Sequence, residues 1–342
     1  MSWPMDTSNL LRLRFLSLLL ALCVLPLWGQ GWKVVAEYGQ RAFPATVPAG
    51  NYSGITPLGD GLYAVVDDKS PTDGFHVMKL RVDSLSGELL DVSHERFLSS
   101  GNTGRDAEGI VFLPDTRRVW MSGEADNQVR EYTLEAQPTG RTLPLPKSFE
   151  GLSPQYGLES LAYDDSLSVF YTMGESAMPA DGPQATSTNG QANLLRMAAI
   201  PAGGGEAREL FYRMDAPRAH REAAQYAMGV SELLVLPGGQ LLVLEREAFV
   251  PRTKIGAFVA CKLYVIDPRE TTSPDRPLTK RLLTEWRTKL NLTARSWANY
   301  EGMCLGPRLP DGDQVIILVS DSQSRYAGVL KDWWKTLVIR EE

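Results

Sequence analysis

Residues that build soft-metal and redox sites are scarce in this chain. There are 3 cysteines and 3 histidines in 342 residues, and no Cys/His spacing suits zinc. No Gly-x-Ser-x-Gly occurs, so the nucleophile elbow of α/β-hydrolases is excluded. Gly203-Gly204-Gly205 is followed by no Lys-Ser/Thr pair and opens no helix, so it is a turn and not a phosphate loop. Cations are also in deficit: 35 Lys and Arg against 41 Asp and Glu leave a net charge of −6. Without a charge surplus of this sign, the balance argues against nonspecific nucleic-acid binding, which needs clustered cations. Metal ions and neutral or cation-bridged substrates stay open. Beyond residue 27 no apolar run is long enough to span a bilayer. The hydrophobic fraction of 43% is ample for a packed core, which excludes global disorder.

The long apolar run that does exist lies at residues 15–27. Arg12 and Arg14 flank it, Pro26 breaks it, and Gly29-Gln30 follows. This is the layout of a signal peptide over residues 1–30, and it is short for a membrane anchor. The expectation is export to the periplasm or the medium. The mature chain, 31–342, is then one domain with no membrane span, expected as a monomer. Leu22 before Cys23 argues against a lipoprotein site. Export permits disulfides. Cys261 and Cys304 both sit in strand-like apolar runs, where two buried free thiols are as good a reading as a bridge.

The remainder is organised by a repeat. Asp106-Ala107-Glu108-Gly109-Ile110 opens an apolar run, and Ser122-Gly123-Glu124 closes the next. The pattern returns as Gly157-Leu158-Glu159-Ser160-Leu161 with Met173-Gly174-Glu175, and as Val230-Ser231-Glu232-Leu233-Leu234 with Leu244-Glu245-Arg246. It returns again as Asn299-Tyr300-Glu301-Gly302-Met303 with Ser320-Asp321-Ser322. Tyr52-Ser53-Gly54-Ile55 with Val66-Asp67-Asp68 is a copy without its first carboxylate. Aligned on Gly54, Gly109, Ser160, Leu233 and Gly302, the steps are 55, 51, 73 and 69 residues. A repeat of this length marks a repeat architecture.

Each copy reads as four short strands. In the second they are 109–113, 118–122, 128–134 and 141–145, and Pro114-Asp115-Thr116 turns the chain between the first two. The expected fold is all-β: a β-propeller of five four-stranded blades. Six blades are the alternative, because the third and fourth steps are long. The fifth copy ends one strand short, and the unclaimed run 32–38 is expected to complete it and close the ring, removing exposed edges. Insertions at 176–192, 215–228 (mildly helical in pattern) and 322–334 fall on the same face as the acidic positions. Trp333 and Trp334 lie in the last of them; blade packing is the favoured reading of the tryptophans, and one ring exposed near the site is the alternative.

Carboxylates converging on one shaft repel. Two unit charges ~6 Å apart at an effective dielectric of ~20 cost about 3 kcal/mol. Protonation, cationic partners or a metal must offset this. An oxygen-rich, sulfur-free set suits calcium. The candidate metal residues are Asp67, Asp68, Asp106, Glu108, Glu159, Glu232, Glu301 and Asp321. Glu124 or Glu175 is the candidate general base. Arg105, Arg246 and His220 are placed to orient an anion, and His220 is the one histidine suited to acid–base work. The competing reading is structural: a Glu at a blade's inner edge often bonds the neighbouring blade's N–H groups and locks the ring.

The succession Ser-Gly-Ile…Asp-Asp, Asp-Ala-Glu-Gly-Ile…Ser-Gly-Glu, Gly-Leu-Glu-Ser-Leu-Ala…Gly-Glu and Tyr-Glu-Gly-Met…Ser-Asp-Ser resembles the phytase-like family of exported bacterial proteins, described by an esterase-like activity of phytase. The resemblance spans about residues 50–340. It implies a β-propeller and hydrolysis of phosphate or carboxylic esters, and its motifs fall on Asp67, Asp68, Asp106, Glu108, Glu124, Glu159, Glu175, Glu301 and Asp321. The fourth copy departs from it with Val-Ser-Glu-Leu, and the first with Ser53. The expected function is therefore calcium-assisted hydrolysis of a small phosphate or related ester. The alternative is a non-catalytic propeller that binds a ligand or partner protein, with any metal structural.

Overall fold

The computed structural model describes residues 31–153, 156–289 and 296–342. The signal-peptide segment, 1–30, lies outside them. Within the unit Trp32–Arg340, strand β1 (Trp32–Glu37) is followed by four strands in each of the next sheets. The first holds β2 (Tyr52–Gly59), β3 (Leu62–Asp67), β4 (Thr72–Val82) and β5 (Leu89–Thr103). The second holds β6 (Ala107–Leu113), β7 (Arg118–Gly123), β8 (Gln128–Thr133) and β9 (Pro138–Thr142). The third holds β10 (Leu158–Asp164), β11 (Val169–Gly174), β12 (Leu194–Pro201) and β13 (Arg208–Arg213). The fourth holds β14 (Gln225–Val235), β15 (Leu241–Val250), β16 (Phe258–Ile266) and β17 (Lys280–Lys289). The chain closes with β18 (Asn299–Arg308), β19 (Gln314–Asp321) and β20 (Trp334–Glu341).

Among the described residues there are five four-stranded sheets, and the fifth runs β1-β20-β19-β18. Trp32–Glu37 is thus the outermost strand of a sheet whose other strands begin only at Asn299. Among the described residues the long steps hold no sixth sheet. Turns form where the residues demand them: Asp60 and Gly61 both take left-handed φ between β2 and β3 (54° and 74°), a conformation that Asp and Gly tolerate.

The innermost strands stand side by side. Ser231 Oγ on β14 donates to the Tyr300 carbonyl on β18 at 3.2 Å, and a Cβ at Gly302 of β18 would lie 2.0 Å from the Ser53 carbonyl of β2. A Cβ at Gly54 would lie 2.4 Å from the Glu108 carbonyl of β6. Glycine recurs at this point of the repeat because the backbones of neighbouring sheets nearly touch there. This is the arrangement of a β-propeller around a narrow shaft.

The core lies between consecutive sheets. Along β19, Val315, Ile317 and Val319 face Ile55, Tyr63 and Val65 of the first sheet. The alternate residues Ile316 and Leu318 face Leu244, Val259 and Cys261 of the fourth. Such a strand is buried on both faces, so it reads as a continuous apolar run. Each fully buried aliphatic side chain contributes about 1.5–3 kcal/mol, and this interleaving fixes the sheets against one another. Cys261 and Cys304 are buried free thiols in separate core clusters.

One local expectation is corrected, and the packing reading of the paired tryptophans holds. The insertion 215–228 forms no helix, and its last residues extend β14. The Arg218 and Ala219 amides donate to the Glu247 carboxylate at 2.9 and 2.8 Å instead of to a helical carbonyl. Trp333 and Trp334 are both buried. Trp333 donates through Nε1 to the Trp297 carbonyl at 2.7 Å, so neither ring faces the shaft.

Candidate functional site

The inner strand of every sheet carries the same irregularity. Register breaks fall between Tyr52 and Ile55, Ala107 and Ile110, Leu158 and Ser160, Val230 and Glu232, and Tyr300 and Gly302. In each, one extra residue enters the inner strand. Such a bulge re-aims a side chain and often borders a functional site. The bulged residues are Ser53, Glu108, Glu159, Ser231 and Glu301. On the second strand, the residue one beyond the partner of the residue preceding each bulge is Asp68, Glu124, Glu175, Arg246 and Asp321.

This register corrects the fourth copy. Glu232 pairs with Leu244 and so corresponds to Ser160 and Gly302, one residue past the bulge. Because side-chain direction alternates along a strand, a one-residue shift turns it away from its expected neighbours. Glu232 is buried; its Oε1 accepts from the Leu161 amide at 3.3 Å and the Leu233 amide at 3.0 Å. Burial pushes its carboxyl well up, against the pull of backbone N–H groups including that of Met303. It is a ring lock inside the shaft, the structural role weighed above, and it does not join the other carboxylates.

Two carboxylate triads form at the mouth. One oxygen each from Asp68, Asp106 and Glu108 lie within 4.8 Å of one another, and so do oxygens of Glu124, Glu159 and Glu175. Ser53 Oγ donates to Glu108 Oε2 at 2.7 Å. Asp106 takes a left-handed φ of 55°, and Lys69 Nζ donates to its Oδ1 at 2.6 Å while standing 3.1 Å from Asp68 Oδ2. Glu124 Oε1 accepts from the Gly157 amide at 3.1 Å.

Arg246 is the cation the charge balance requires. It is buried, donates through Nη1 to Glu301 and to Asn299 Oδ1 (3.0 Å), through Nη2 to Glu175, and lies 3.9 Å from Glu159. Asn299 Nδ2 also donates to Glu301 Oε1 at 2.7 Å. Burial pulls the guanidinium pKa down, but Glu301, Glu175 and Glu159 together hold it above its usual value.

The carboxyls are pushed the other way. Desolvation, then Asp68 and Glu301, raise Glu108 far above the normal range. Desolvation, then Glu108 and Glu175, do the same to Glu159. Burial lifts Asp68 to about 7 despite Lys69, and Asp321 to about 6. Burial also raises Glu124, Asp67 and Glu301. A site of this kind favours either protons or a metal ion. The buried Oδ1 of Asp68 has no hydrogen-bond donor, and every ligand atom in the triads is oxygen. The residues therefore fit a hard cation such as calcium.

Other candidates stand apart. Asp67 belongs to neither triad; its Oδ2 lies 3.9 Å from His76 Nε2. His76 in turn lies 3.0 Å from His94, and burial, then His94, lower its pKa to about 4, as befits a packed histidine. Arg105 spends its fork on Asp126 (2.8 Å twice), Tyr132 Oη and the Gln128 carbonyl, so little of it is free to orient an anion. His220 is exposed and contacts the Arg218 carbonyl of its own loop, away from the triads. Trp297, Tyr226 and Asn299 line the cleft above the mouth and went unrecognised in the sequence. They sit in non-repeated segments or next to a motif, where no periodicity marks them.

Fold and mouth together define a β-propeller with an acidic, partly cation-balanced shaft entrance. The sequence profile of the phytase-like family, described as esterase-like activity of phytase, matches residues 47–323. The chain belongs to that family. No curated protein matches it. Among solved structures, it is similar to the Cps50 (Swd1) β-propeller domain of Myceliophteria thermophila, with a TM-score of 0.35 and 10% identity over 85% of this chain and 83% of that one. It is similar to the C-terminal WD40 domain of Sif2 (TM-score 0.34, 7% identity, 87% and 98% covered). A Trichoderma reesei carbohydrate-active enzyme of family AA12 gives a TM-score of 0.43 at 10% identity, with 91% and 96% covered. Among the described residues no helix is long and apolar enough to cross a membrane.

Proposed function

We propose that this is an exported, monomeric propeller hydrolase, latched by its N-terminal strand, that uses a divalent cation to cleave phosphate or related esters at the acidic mouth. Calcium is the ion its oxygen donors favour. The observation that carries this reading is the pair of triads, Asp68/Asp106/Glu108 and Glu124/Glu159/Glu175. A cation held by Asp68, Asp106 and Glu108 would neutralise substrate oxygens and polarise the bond to be broken, leaving the second triad for proton transfer. The residues do the rest. Glu175 is engaged by Arg246, which leaves Glu124 as the better base. Its raised pKa suits it to take a proton from the attacking water. Water adds to the phosphorus or acyl carbon, the bond to the ester oxygen breaks, and the proton that Glu124 took from the water passes to that departing oxygen. Lys69, exposed at the rim, would hold an anionic oxygen. The test is a broad phosphatase and esterase panel on the purified 31–342 chain, with calcium and with chelator. Chelator-sensitive turnover that Glu124→Gln lowers at least tenfold is expected, and a flat panel sinks the reading.

A second reading has its own observation. Arg246 already balances Glu175 and Glu301, and among the described residues hydrogen-bonded to it there is no serine, threonine or cysteine to act as a nucleophile. A propeller that binds a ligand or partner protein without turning it over would look the same. It is favoured if calcium raises the melting temperature and no ester is cleaved.

A further inference from the structure

The fourth sheet differs from the others in one respect that bears on substrate. Its inner strands, β14 and β15, run 11 and 10 residues and continue past the mouth as a paired hairpin, from Gly229–Arg246 through Ala227–Ala248 to Gln225–Val250. Strand alternation puts Arg246, Ala248 and Val250 on one face. That face, with Trp297 and Leu330, forms a wall of a cleft of about 520 Å³, within the usual size of small-ligand sites. The floor is Asp68, Glu301, Asp321 and Arg246, and Lys69 stands at the rim. Asn51, Gln225, Tyr226, Asn299 and Gln323 complete the lining, so the site is acidic and cation-ready at one end and carries an apolar strip among uncharged polar groups at the other.

We propose that this cleft takes an ester with a single compact anionic head and an apolar, preferably aromatic, body, and that it discriminates against densely phosphorylated polyols. The inference rests on the hydrolytic reading for its chemistry but on the cleft alone for its ligand class. Head and body follow from the two halves of the lining. The discrimination follows from charge. Lys69 and Arg246 are the cationic side chains lining the cleft; Arg246 is buried and held by Glu301 and Glu175, and Lys69, though paired with Asp106 and Asp68, is exposed and able to swing to a ligand. Each phosphate monoester carries about −1.5 to −2 at neutral pH. One such group can be met by a cation in the triads and Lys69. Further ones would face the Asp321 and Glu301 carboxylates and the uncharged wall. Wall residues are half-buried rather than buried, so an apolar body would remove them from water.

The experiment is titration calorimetry on the 31–342 chain at fixed free calcium, with phenylphosphonate, methylphosphonate and inositol hexakisphosphate as non-hydrolysed or slowly hydrolysed probes. Phenylphosphonate is expected to bind at least about tenfold tighter than methylphosphonate, the discrimination that a few apolar carbons supply, and tighter than the hexakisphosphate. Trp297→Ala and Leu330→Ala should each shrink the phenyl preference, and two variants guard against one that misfolds. Equal binding of the phenyl and methyl probes, tightest binding of the hexakisphosphate, or no binding at all overturns the proposal. If phenylphosphonate binds as expected but no ester is cleaved, the hydrolytic reading falls and the ligand class stands. If esters are cleaved with no phenyl preference, the reverse holds.

Discussion

Arg246 and Glu301 form a buried ion pair that joins the fourth sheet to the fifth, and the same guanidinium reaches Glu175 of the third. One cation therefore offsets the repulsion that several inward carboxylates would otherwise impose. Replacing Arg246 by Met strands these carboxylates without a partner, and the expected loss is about 3–5 kcal/mol in urea unfolding at neutral pH. Arg246→Lys should recover only part of it, because a point charge cannot serve two carboxylates as a planar fork does. A loss under about 1 kcal/mol would contradict the assignment.

Glu232 serves a different purpose. Glu232→Ala leaves the Leu161 and Leu233 amides without their acceptor, at about 1–3 kcal/mol for each buried donor. Glu232→Gln keeps an acceptor and should cost less. Neither change is expected to alter the calcium-induced rise in melting temperature, and a lost rise would make Glu232 a ligand after all.

Stability should depend on pH in a direction set by the raised carboxyls. Asp68 at about 7 and Asp321 at about 6 lie above their ordinary value of 3.8. The folded protein therefore binds more protons than the unfolded chain between those values. The stability this contributes is complete below the unfolded pKa and is lost as pH rises through about 6 to 7. With chelator, the melting temperature should fall between pH 5 and 8. With calcium, which binds the deprotonated form, the fall should flatten, and the gain from calcium should be larger at pH 8 than at pH 5. A larger gain at pH 5 would reverse the sign and count against the site.

Glu108→Gln and Glu159→Gln remove buried charge from the two triads. Without metal each should hold or raise stability at pH 8, since each pK unit of upward shift is worth about 1.4 kcal/mol against the ionised form. The pair together should abolish the calcium-induced rise. Thermal melts with and without calcium read both effects, and an intact rise in the double variant would remove the triads from consideration.

Gly302 sits where β18 meets β2, with a Cβ placed 2.0 Å from the Ser53 carbonyl. Gly302→Ala must push apart two backbones near the mouth, and about 1–3 kcal/mol of destabilisation is expected from such overpacking. An unchanged melting temperature would show that the joint can yield.

Much of this architecture could be read before any coordinates. The turn at Asp60-Gly61, the strand runs and the acidic residues recurring beside Gly109 and Gly302 are local features, and local stereochemistry writes them into the chain. So did the spare strand near Trp32, which a count of four per copy leaves over. Which of these carboxylates meet is another matter. Glu232 looked like its neighbours' counterpart until pairing with Leu244 moved it one residue out of phase. Arg246 looked like one of several basic residues, while Arg105 was claimed by Asp126. The wall of Ala248, Val250 and Trp297 arises from a hairpin that outgrows its sheet and from a residue 47 positions further on than Val250. Sequence carries the alternation of side chains along each strand, but register across strands and the convergence of five sheets on one shaft choose which of them share a space, and the charge balance at the mouth depends on that choice.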